Sequence, residues 1–178
     1  RPPTAAERRR ALAAARGEVI HGLVEDESLA DERVARIRWL ARAYAEGATD
    51  EEREAGWTLL RAHLARVARD PEVARILALP GRAELPFHLA AGDLVLSGVI
   101  DRLCRDAEGW LVVDWKSGSL DRSAEHEARG HRWQLLVYSI AAERILGEPV
   151  RHARLYFTET GTWYPFPSWT LADMEAVE

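Results

Sequence analysis

The spacing of apolar residues changes once along this chain of 178 residues, at Pro80-Gly81. Before this point apolar residues recur every three or four positions, which is the period of an α-helix. After it come apolar segments of strand length, rich in Leu, Val, Ile, Phe and Trp and separated by turn residues. The fold must therefore combine a helical first part with a sheet in the second part.

Helix starts in the first part carry recognisable capping residues. Thr4 with Glu7, and Thr49 with Glu52, each have the spacing of a capping box, in which two side chains bind the first backbone N–H groups reciprocally. Asp70-Pro71 places a capping residue before a first-turn proline. The predicted helices are Ala5–Glu25, Asp31 to about Glu46, a third that follows Thr49 and bears Trp57 to Val67, and a short one that follows Asp70.

Strands and one further helical stretch are predicted in the second part. The helical stretch runs from Ser123 to Leu146, stops at Gly147, and is apolar around most of its circumference after Trp133, which predicts burial against the sheet. A terminal helix is predicted to begin at Thr170. The predicted strands are 82–90, 93–104 and 110–116, which form a meander, then 150–158 and an edge strand at 161–166.

This order, helices and then βββαβ, predicts an α/β fold with a mixed sheet. A chain of this length is expected to form one domain, 1–178. Its predicted parts are a helical region at 4–80, an α/β core at 82–168 and a C-terminal helix at 170–178. Because residue 1 is not Met, the chain is expected to be a piece of a longer polypeptide.

Cysteine and charge content narrow the classes of function. The sequence has one cysteine, Cys104, which excludes an internal disulfide and a four-cysteine zinc or iron–sulfur site, and a reducing, cytoplasmic setting is expected. The net charge of −5 means that the field of the whole chain does not attract nucleic acid. Arginines nevertheless cluster near the start, although a solvated helix face is the ordinary explanation of such a cluster. They are Arg1, Arg8, Arg9, Arg10 and Arg16.

The segment Val112-Val113-Asp114-Trp115-Lys116 carries an acid and a base on a strand otherwise suited to burial. Side chains alternate between the faces of a strand, so Asp114 and Lys116 point the same way. A lone Asp-x-Lys on a strand is usually a surface ion pair. The apolar residues on either side, and Asp101 on the preceding strand, favour a catalytic site instead of a surface ion pair. Asp101 and Asp114 are expected to be offset by a few residues, with a bend or bulge bringing them together.

Two carboxylates a few ångströms apart repel each other in a low-dielectric pocket, so such a pair either traps a proton or binds a cation. Oxygen ligands without thiolates select hard ions such as Mg²⁺ or Mn²⁺. Such an ion polarises a phosphodiester oxygen and lowers the pKa of a bound water. Lys116 is the expected partner for that water or for the developing negative charge.

Three further polar residues have two interpretations each. His21 lies beside the apolar stripe of the first helix, with Glu18 and Glu25 on the same side, and is either a ligand or an ordinary hydrogen-bonded histidine. Gln134 and Tyr138 stand at i and i+4 on one helix face, where they either meet the strand-borne site or DNA, or form an ordinary buried polar pair.

The chain resembles the PD-(D/E)xK nucleases, and within them the RecB-like nuclease domains at the C-terminus of AddA and RecB helicase–nuclease subunits. Each similar segment is short, and the segments occur in the family's order along nearly the whole chain. They are Gly17-Glu18-Val19-Ile20-His21, Arg82-Ala83-Glu84-Leu85-Pro86-Phe87, Gly98-Val99-Ile100-Asp101-Arg102-Leu103, Val113-Asp114-Trp115-Lys116-Ser117-Gly118, and Gln134-Leu135-Leu136-Val137-Tyr138.

The resemblance implies a restriction-endonuclease-like core and a set of roles. His21, Asp101, Asp114 and the backbone carbonyl of Trp115 would hold Mg²⁺ or Mn²⁺, and Lys116 would assist the nucleophile. Glu84, Gln134 and Tyr138 would support the site or contact DNA. Some relatives carry an iron–sulfur cluster held by four cysteines, and a chain with Cys104 alone is expected to lack one.

The function expected from this resemblance is DNA phosphodiester hydrolysis by an exonuclease module. Its expected partners are DNA, in single strands or at ends, a helicase domain of the same polypeptide and a second helicase–nuclease protein. The expected setting is DNA end processing and double-strand break repair. Two alternatives stay open, namely a catalytically inactive nuclease fold that serves as a DNA-binding or assembly module, and a stand-alone Cas4-like exonuclease.

Overall fold

A computed structural model describes residues 3–92, 94–117 and 123–166. Contacts between residues divide the chain into two compact units, and each unit is described by itself. Unit 1 is drawn from Arg1–Leu77, Lys116–Ser119 and Phe157–Gly161. Unit 2 is drawn from Ala78–Trp115, Leu120–Tyr156 and Thr162–Glu178.

Unit 1 is built on three helices whose starts follow the predicted capping residues. They are α1 (Ala5–Glu25), α2 (Glu32–Ala45) and α3 (Asp50–Arg69). Thr4 and Thr49 form complete capping boxes with Glu7 and Glu52, so these predictions are confirmed. A short helix, α4 (Pro71–Ala78), follows Asp70, whose Oδ1 accepts the N–H groups of Glu72 and Val73 as predicted.

The core of unit 1 contains the apolar residues that repeat at helical spacing. Leu12, Val19 and Leu23 of α1 are buried. Trp39 of α2 is fully buried, and its Nε1 donates a 2.8 Å hydrogen bond to the carbonyl oxygen of Arg53 on α3. Burial of such aromatic and aliphatic side chains stabilises the folded chain by roughly 1.5–3 kcal/mol for each Leu- or Val-sized side chain.

The sheet confirms the predicted strand order. The strands are β1 (Gly81–Ala91), β2 (Leu94–Arg105), β3 (Trp110–Lys116), β4 (Val150–Phe157) and β5 (Thr162–Phe166). They form one mixed sheet in the order β1-β2-β3-β4-β5, with β1 and β5 at its edges. β1, β2 and β3 pair antiparallel as the predicted meander. The last residues of β3 and β4, Lys116 and Phe157, are grouped with unit 1.

The helical stretch predicted from Ser123 to Leu146 is two helices, so the prediction of a single run is wrong. α5 (Ala124–Gly130) and α6 (Arg132–Leu146) are separated by His131, whose φ of −94° and ψ of 1° depart from helical geometry. Gly130 explains the break, because glycine has the lowest helix propensity after proline. α6 ends at Gly147, with φ of 69°, as predicted, and it packs against β1 and β2.

The predicted terminal helix at 170–178 lies outside the described residues. Among the helices that the structure does describe, none combines the length and the apolar character needed to span a membrane.

In unit 1, α1 passes very close to the residue that follows β3. A Cβ atom placed on Gly17 would lie 2.5 Å from Ser117 Oγ, 3.0 Å from its carbonyl oxygen and 3.2 Å from its Cβ. Real Cβ atoms do not approach another atom to 2.5 Å, so any larger residue at position 17 would force Ser117 or α1 to shift. Gly17 therefore governs where the main chain runs immediately after Lys116.

We expect Gly17→Ala to lower the free energy of unfolding by about 1–3 kcal/mol, the usual cost of inserting a methyl group into a filled site. Ser117→Gly removes the two nearest obstructing side-chain atoms, so it should restore part of the loss when combined with Gly17→Ala. Urea unfolding of the wild type, both single variants and the double variant measures this coupling.

Gly22→Ala is the matched control on the same helix. Its new Cβ would meet only the end of the Arg38 side chain, at 3.2 Å, and that flexible group can move aside. This variant should be neutral or slightly stabilising, since alanine has the higher helix propensity. Equal effects at positions 17 and 22, or additivity of the changes at 17 and 117, would show that the close approach is unimportant.

Candidate active site and metal centre

Neighbouring strands of unit 2 place two aspartates side by side. Asp101 on β2 and Asp114 on β3 are 7% and 1% exposed. The β2–β3 ladder pairs Arg102 with Val113, so the next step of the same register sets Asp101 directly opposite Asp114. The predicted offset of a few residues is therefore wrong. The turn lies between the paired residues Arg105 and Trp110, and the register that this pairing sets brings the two aspartates level with each other.

The side chain of Asp101 takes part in the main-chain bonding of β3. Its Oδ2 accepts a 2.9 Å hydrogen bond from the backbone N–H of Trp115, at the point where the paired residues of β2 and β3 end. A carboxylate that accepts a backbone N–H is held in one orientation. Asp101 is therefore fixed relative to the strand that carries Asp114.

Glu84 stands next to Asp101 on the other side. The β1–β2 register pairs Ala83 with Arg102 and Leu85 with Ile100, so Glu84 occupies the position opposite Asp101. A carboxylate oxygen of Glu84 lies within 4.8 Å of one of Asp101. Glu84 has a φ of 49°, in the left-handed region that side chains other than glycine rarely adopt. Backbone strain of this kind is concentrated at functional sites.

α6 brings an amide and a phenol to the same group of carboxylates. Gln134 Nε2 donates to Asp114 Oδ1 at 3.1 Å and to Tyr138 Oη at 2.8 Å. The two α6 side chains share one helix face, as their spacing of four residues predicts. Gln134 thus contacts both a strand-borne acid and its neighbour on the helix face.

The pKa of the Tyr138 phenol is affected by the negative charges near it. Burial raises the pKa of its phenol, and the charges of Asp114, Asp101 and Glu84 raise it further, against the opposing hydrogen bond from Gln134. The phenol therefore keeps its proton at neutral pH. The phenol and the three carboxylates therefore belong to the same electrostatic environment.

Phe87 and Gly98 hold the Tyr138 ring in place. The rings of Phe87 and Tyr138 meet edge to face, with 5.7 Å between their centroids. Phe87 pairs with Gly98 across the β1–β2 ladder, and a Cβ on Gly98 would lie 2.8 Å from the Phe87 ring. The glycine three residues before Asp101 therefore makes room for the aromatic pair beside the acids.

Lys116 is placed by its strand and by Thr158. It follows Asp114 by two residues on β3, so the two side chains leave the strand on the same face. The backbone N–H and the Oγ1 of Thr158 both donate to the carbonyl oxygen of Lys116, at 2.8 and 3.2 Å. Trp115, between them in sequence, packs its ring against Tyr156 and Trp163 instead.

His21 lies on α1 in unit 1, and its Nδ1 contacts a carboxylate oxygen of Glu25, one turn further along the helix. Metal-binding histidines commonly engage a carboxylate through the ring nitrogen that does not face the metal. The His21–Glu25 pair thus has the arrangement of an oriented histidine ligand. The ordinary alternative, a surface helix pair, has the same geometry.

Within unit 2 the predicted residues Glu84, Asp101, Asp114, Gln134 and Tyr138 are brought together. Their carboxylates offer hard oxygen donors, and oxygen donors suit Mg²⁺ and Mn²⁺. The donor set thus fits a divalent cation.

Sequence reasoning did not identify Thr158, Phe87 or Gly98 as supports of the site. Thr158 had a weak signal, because it is a polar residue that directly follows the run Leu155-Tyr156-Phe157. Phe87 and Gly98 lay inside segments already singled out, but their contact depends on strand register. Register is not visible in the sequence of either strand alone.

Comparison with known proteins gives partial matches to helicase–nuclease subunits. Three of the similar proteins are each named as the A subunit of an ATP-dependent helicase/nuclease. That of Desulforamulus reducens is 31% identical over 110 residues (54% of this chain, 8% of that protein), and that of Pelotomaculum thermopropionicum is 37% identical over 93 residues (44% and 7%). That of Heliobacterium modesticaldum is 26% identical over 185 residues (90% and 13%). The chain thus spans only a small part of these relatives.

A family model gives the broader match. The model of the PD-(D/E)XK nuclease superfamily matches residues 2–166, which is nearly all of the chain. The similarity to helicase/nuclease subunits agrees with the RecB-like branch that the motifs predicted. The predicted resemblance is confirmed, and the chain belongs to the PD-(D/E)XK nuclease superfamily.

Proposed function

We propose that this chain is a metal-dependent deoxyribonuclease module that hydrolyses DNA phosphodiesters in the processing of DNA ends during double-strand break repair. One observation carries the proposal. Asp101 and Asp114 are buried opposite each other on paired strands, and Lys116 leaves β3 on the face of Asp114. A pair of buried acids with a nearby ammonium serves phosphodiester hydrolysis better than it serves stability, because buried like charges repel.

The proposed cofactor is Mg²⁺ or Mn²⁺, without an iron–sulfur cluster. Asp101, Asp114 and the backbone carbonyl of Trp115 are the proposed ligands, with Glu84 as an additional oxygen donor. His21 is included because of the family resemblance and its pairing with Glu25. When bound, the cation would polarise a phosphoryl oxygen as a Lewis acid. It would also lower the pKa of a bound water, so that a hydroxide nucleophile is available at neutral pH.

The chain's own residues have separable tasks. Gln134 holds the Asp114 carboxylate through Oδ1, so that Asp114 cannot rotate away from the site. Lys116 places its ammonium where negative charge develops on the phosphorus oxygens or on the attacking water. Thr158 fixes the main chain of Lys116 by donating two hydrogen bonds to its carbonyl oxygen. Tyr138 remains protonated and supplies a hydroxyl beside the carboxylates or to the DNA.

The proposed partners follow from the relatives. Those proteins are named as subunits of an ATP-dependent helicase/nuclease, and the chain matches a small part of each. We propose that the module acts with a helicase domain of the same polypeptide and with a second helicase–nuclease protein, in the cytoplasm. In this arrangement the helicase delivers single-stranded ends to the site.

The proposal predicts that the chain cuts fluorescently labelled single-stranded DNA in the presence of Mn²⁺. Asp114→Asn and Lys116→Met should each reduce the cleavage rate by at least about 100-fold, the scale of losing one transition-state contact. Glu148→Gln, an exposed carboxylate near the end of α6, is the control and should cut at the wild-type rate. A wild type no faster than Asp114→Asn would contradict the proposal.

Calorimetric titration with Mn²⁺ tests the metal site independently of DNA. The wild type should give a saturable heat, and Asp101→Asn should abolish it by removing a charged oxygen donor from the pair. Glu108→Gln, in the turn of the β2–β3 hairpin, should leave the heat unchanged. Absence of saturable heat in the wild type would instead support the inactive DNA-binding or assembly module.

A further inference from the structure

A pocket of about 310 Å³ opens beside the early part of α1 in unit 1. Arg10, Ala13, Ala14 and Gly17 line it from one face of the helix, at the i, i+3, i+4 and i+7 spacing of a helical stripe. The three small residues leave the space, and the guanidinium of Arg10 borders it. Arg16 also lines the pocket. The arginines near the start of the sequence thus include two that face a cavity.

The charge around this pocket is positive although the whole chain carries −5. Arg10 and Arg16 contribute two guanidinium groups, and Glu159 is the one carboxylate among the described lining residues. Burial lowers the pKa of Arg16, and the charge of Glu159 opposes this effect. Arginine guanidinium groups bind phosphate oxygens in pairs of parallel hydrogen bonds. A phosphodiester is therefore an anion whose geometry these two guanidinium groups match.

His63 of α3 lines the pocket with an imidazole that is uncharged at neutral pH. Burial lowers the pKa of its imidazole to about 4, a hydrogen bond with the backbone of Thr158 opposes this, and the charges of Arg66 and Arg16 lower the pKa further. Its Nε2 is buried and has no hydrogen-bond partner within the described part of the chain. Buried polar atoms normally have a partner, so a ligand donor is expected there.

The tautomer of His63 determines what that ligand must offer. The hydrogen bond with Thr158 raises the imidazole pKa, as expected when a ring N–H donates to a backbone carbonyl. In the neutral ring the other nitrogen, Nε2, then accepts. Phosphodiester oxygens also accept only, so the donor must come from another part of the same molecule. Every DNA base has an amino or imino N–H on its pairing edge, and that edge is accessible in a single strand.

The pocket is also adjacent to the catalytic strand along the chain. Ser117 lines it and directly follows Lys116. A nucleotide bound there would therefore contact the residue one position beyond the proposed catalytic lysine.

We propose that this pocket binds one nucleotide of the single-stranded DNA substrate, with its phosphodiester on Arg10 and Arg16 and a base N–H donating to His63 Nε2. The inference rests on the proposed nuclease function and assigns a substrate-positioning site to it. None of these residues takes part in the chemistry. Their task is to hold the strand that leads to the site of cleavage.

Fluorescence anisotropy with a labelled oligodeoxythymidylate in EDTA tests this binding without cleavage. Arg10→Ala should weaken binding about tenfold, the scale of losing a hydrogen bond to a charged group. It should also reduce the slope of log affinity against log salt by about 0.7, the contribution of one phosphate contact on a single strand. Arg16→Lys keeps the charge but loses the paired geometry, and should weaken binding in the same direction.

Two matched variants provide the controls. Arg9→Ala removes the same charge from an exposed neighbour on α1 that does not line the pocket, and should leave the affinity unchanged. Glu159→Gln removes the opposing carboxylate and should strengthen binding. Equal losses for Arg9→Ala and Arg10→Ala would overturn the proposal, because they would indicate attraction by bulk charge alone. An unchanged affinity in Arg10→Ala would overturn it as well.

An abasic strand and inorganic phosphate separate the two contacts. His63→Leu should weaken binding of oligodeoxythymidylate and not of an abasic deoxyribose-phosphate strand, if a base donates to Nε2. Urea unfolding of His63→Leu first establishes that the variant is folded. Binding of inorganic phosphate that depends on Arg10, with no Arg10-dependent binding of the oligonucleotide, would overturn the assignment to DNA.

Failure of this inference is distinguishable from failure of the nuclease proposal. If the wild type cuts DNA with Mn²⁺ but Arg10→Ala binds and cuts like Arg9→Ala, the pocket assignment alone is wrong. If the wild type does not cut but binding still depends on Arg10, Arg16 and Glu159, hydrolysis is wrong and the pocket is a DNA-binding site in its own right.

Discussion

The hydrogen bond from the Trp115 backbone N–H to the Asp101 carboxylate links the sheet to the chemistry of the site. This hydrogen bond lies where the paired residues of β2 and β3 end. There the Trp115 N–H donates to the side chain of Asp101 instead of to a main-chain carbonyl. The register of β2 and β3 sets Asp114 opposite Asp101, and Lys116 follows Asp114 on the same face of β3. The contacts of Glu84, Gln134 and Tyr138 are arranged around this point.

Such an arrangement is costly for the protein in the absence of a cation. Asp101 and Asp114 are both buried, and two neighbouring acidic groups in a low-dielectric environment destabilise the folded state when both are ionised. The amide of Gln134 and the backbone N–H of Trp115 offset part of this cost, because each donates to one of the two carboxylates. A cation that binds only the folded chain would offset more of it by mass action. Stability and metal affinity are thus expected to depend on the same two side chains.

Much of the fold was predictable because its signals are local. Thr4 and Thr49 specify where α1 and α3 begin, and the turn before Trp110 specifies the strand pair that bears the acids. The single helix predicted over 123–146 was wrong because Gly130 interrupts an otherwise helical pattern. The offset predicted for Asp101 and Asp114 was wrong because the hairpin pairs Arg105 with Trp110, and this register brings the two aspartates level.

The parts of the site that escaped prediction depend on contacts between distant segments. The close approach of Gly17 to Ser117, the anchoring of Lys116 by Thr158 and the buried imidazole of His63 each join segments far apart in sequence. No period or spacing in either segment indicates the other.

The left-handed φ of Glu84 bears on any effort to redesign the chain. A search that ranks amino acids by backbone preference alone would choose glycine or asparagine there, since such a φ costs other residues about 1–3 kcal/mol. The more thermostable sequence it returned would lack the carboxylate beside Asp101, so gains in stability at this position would come at the expense of cation affinity.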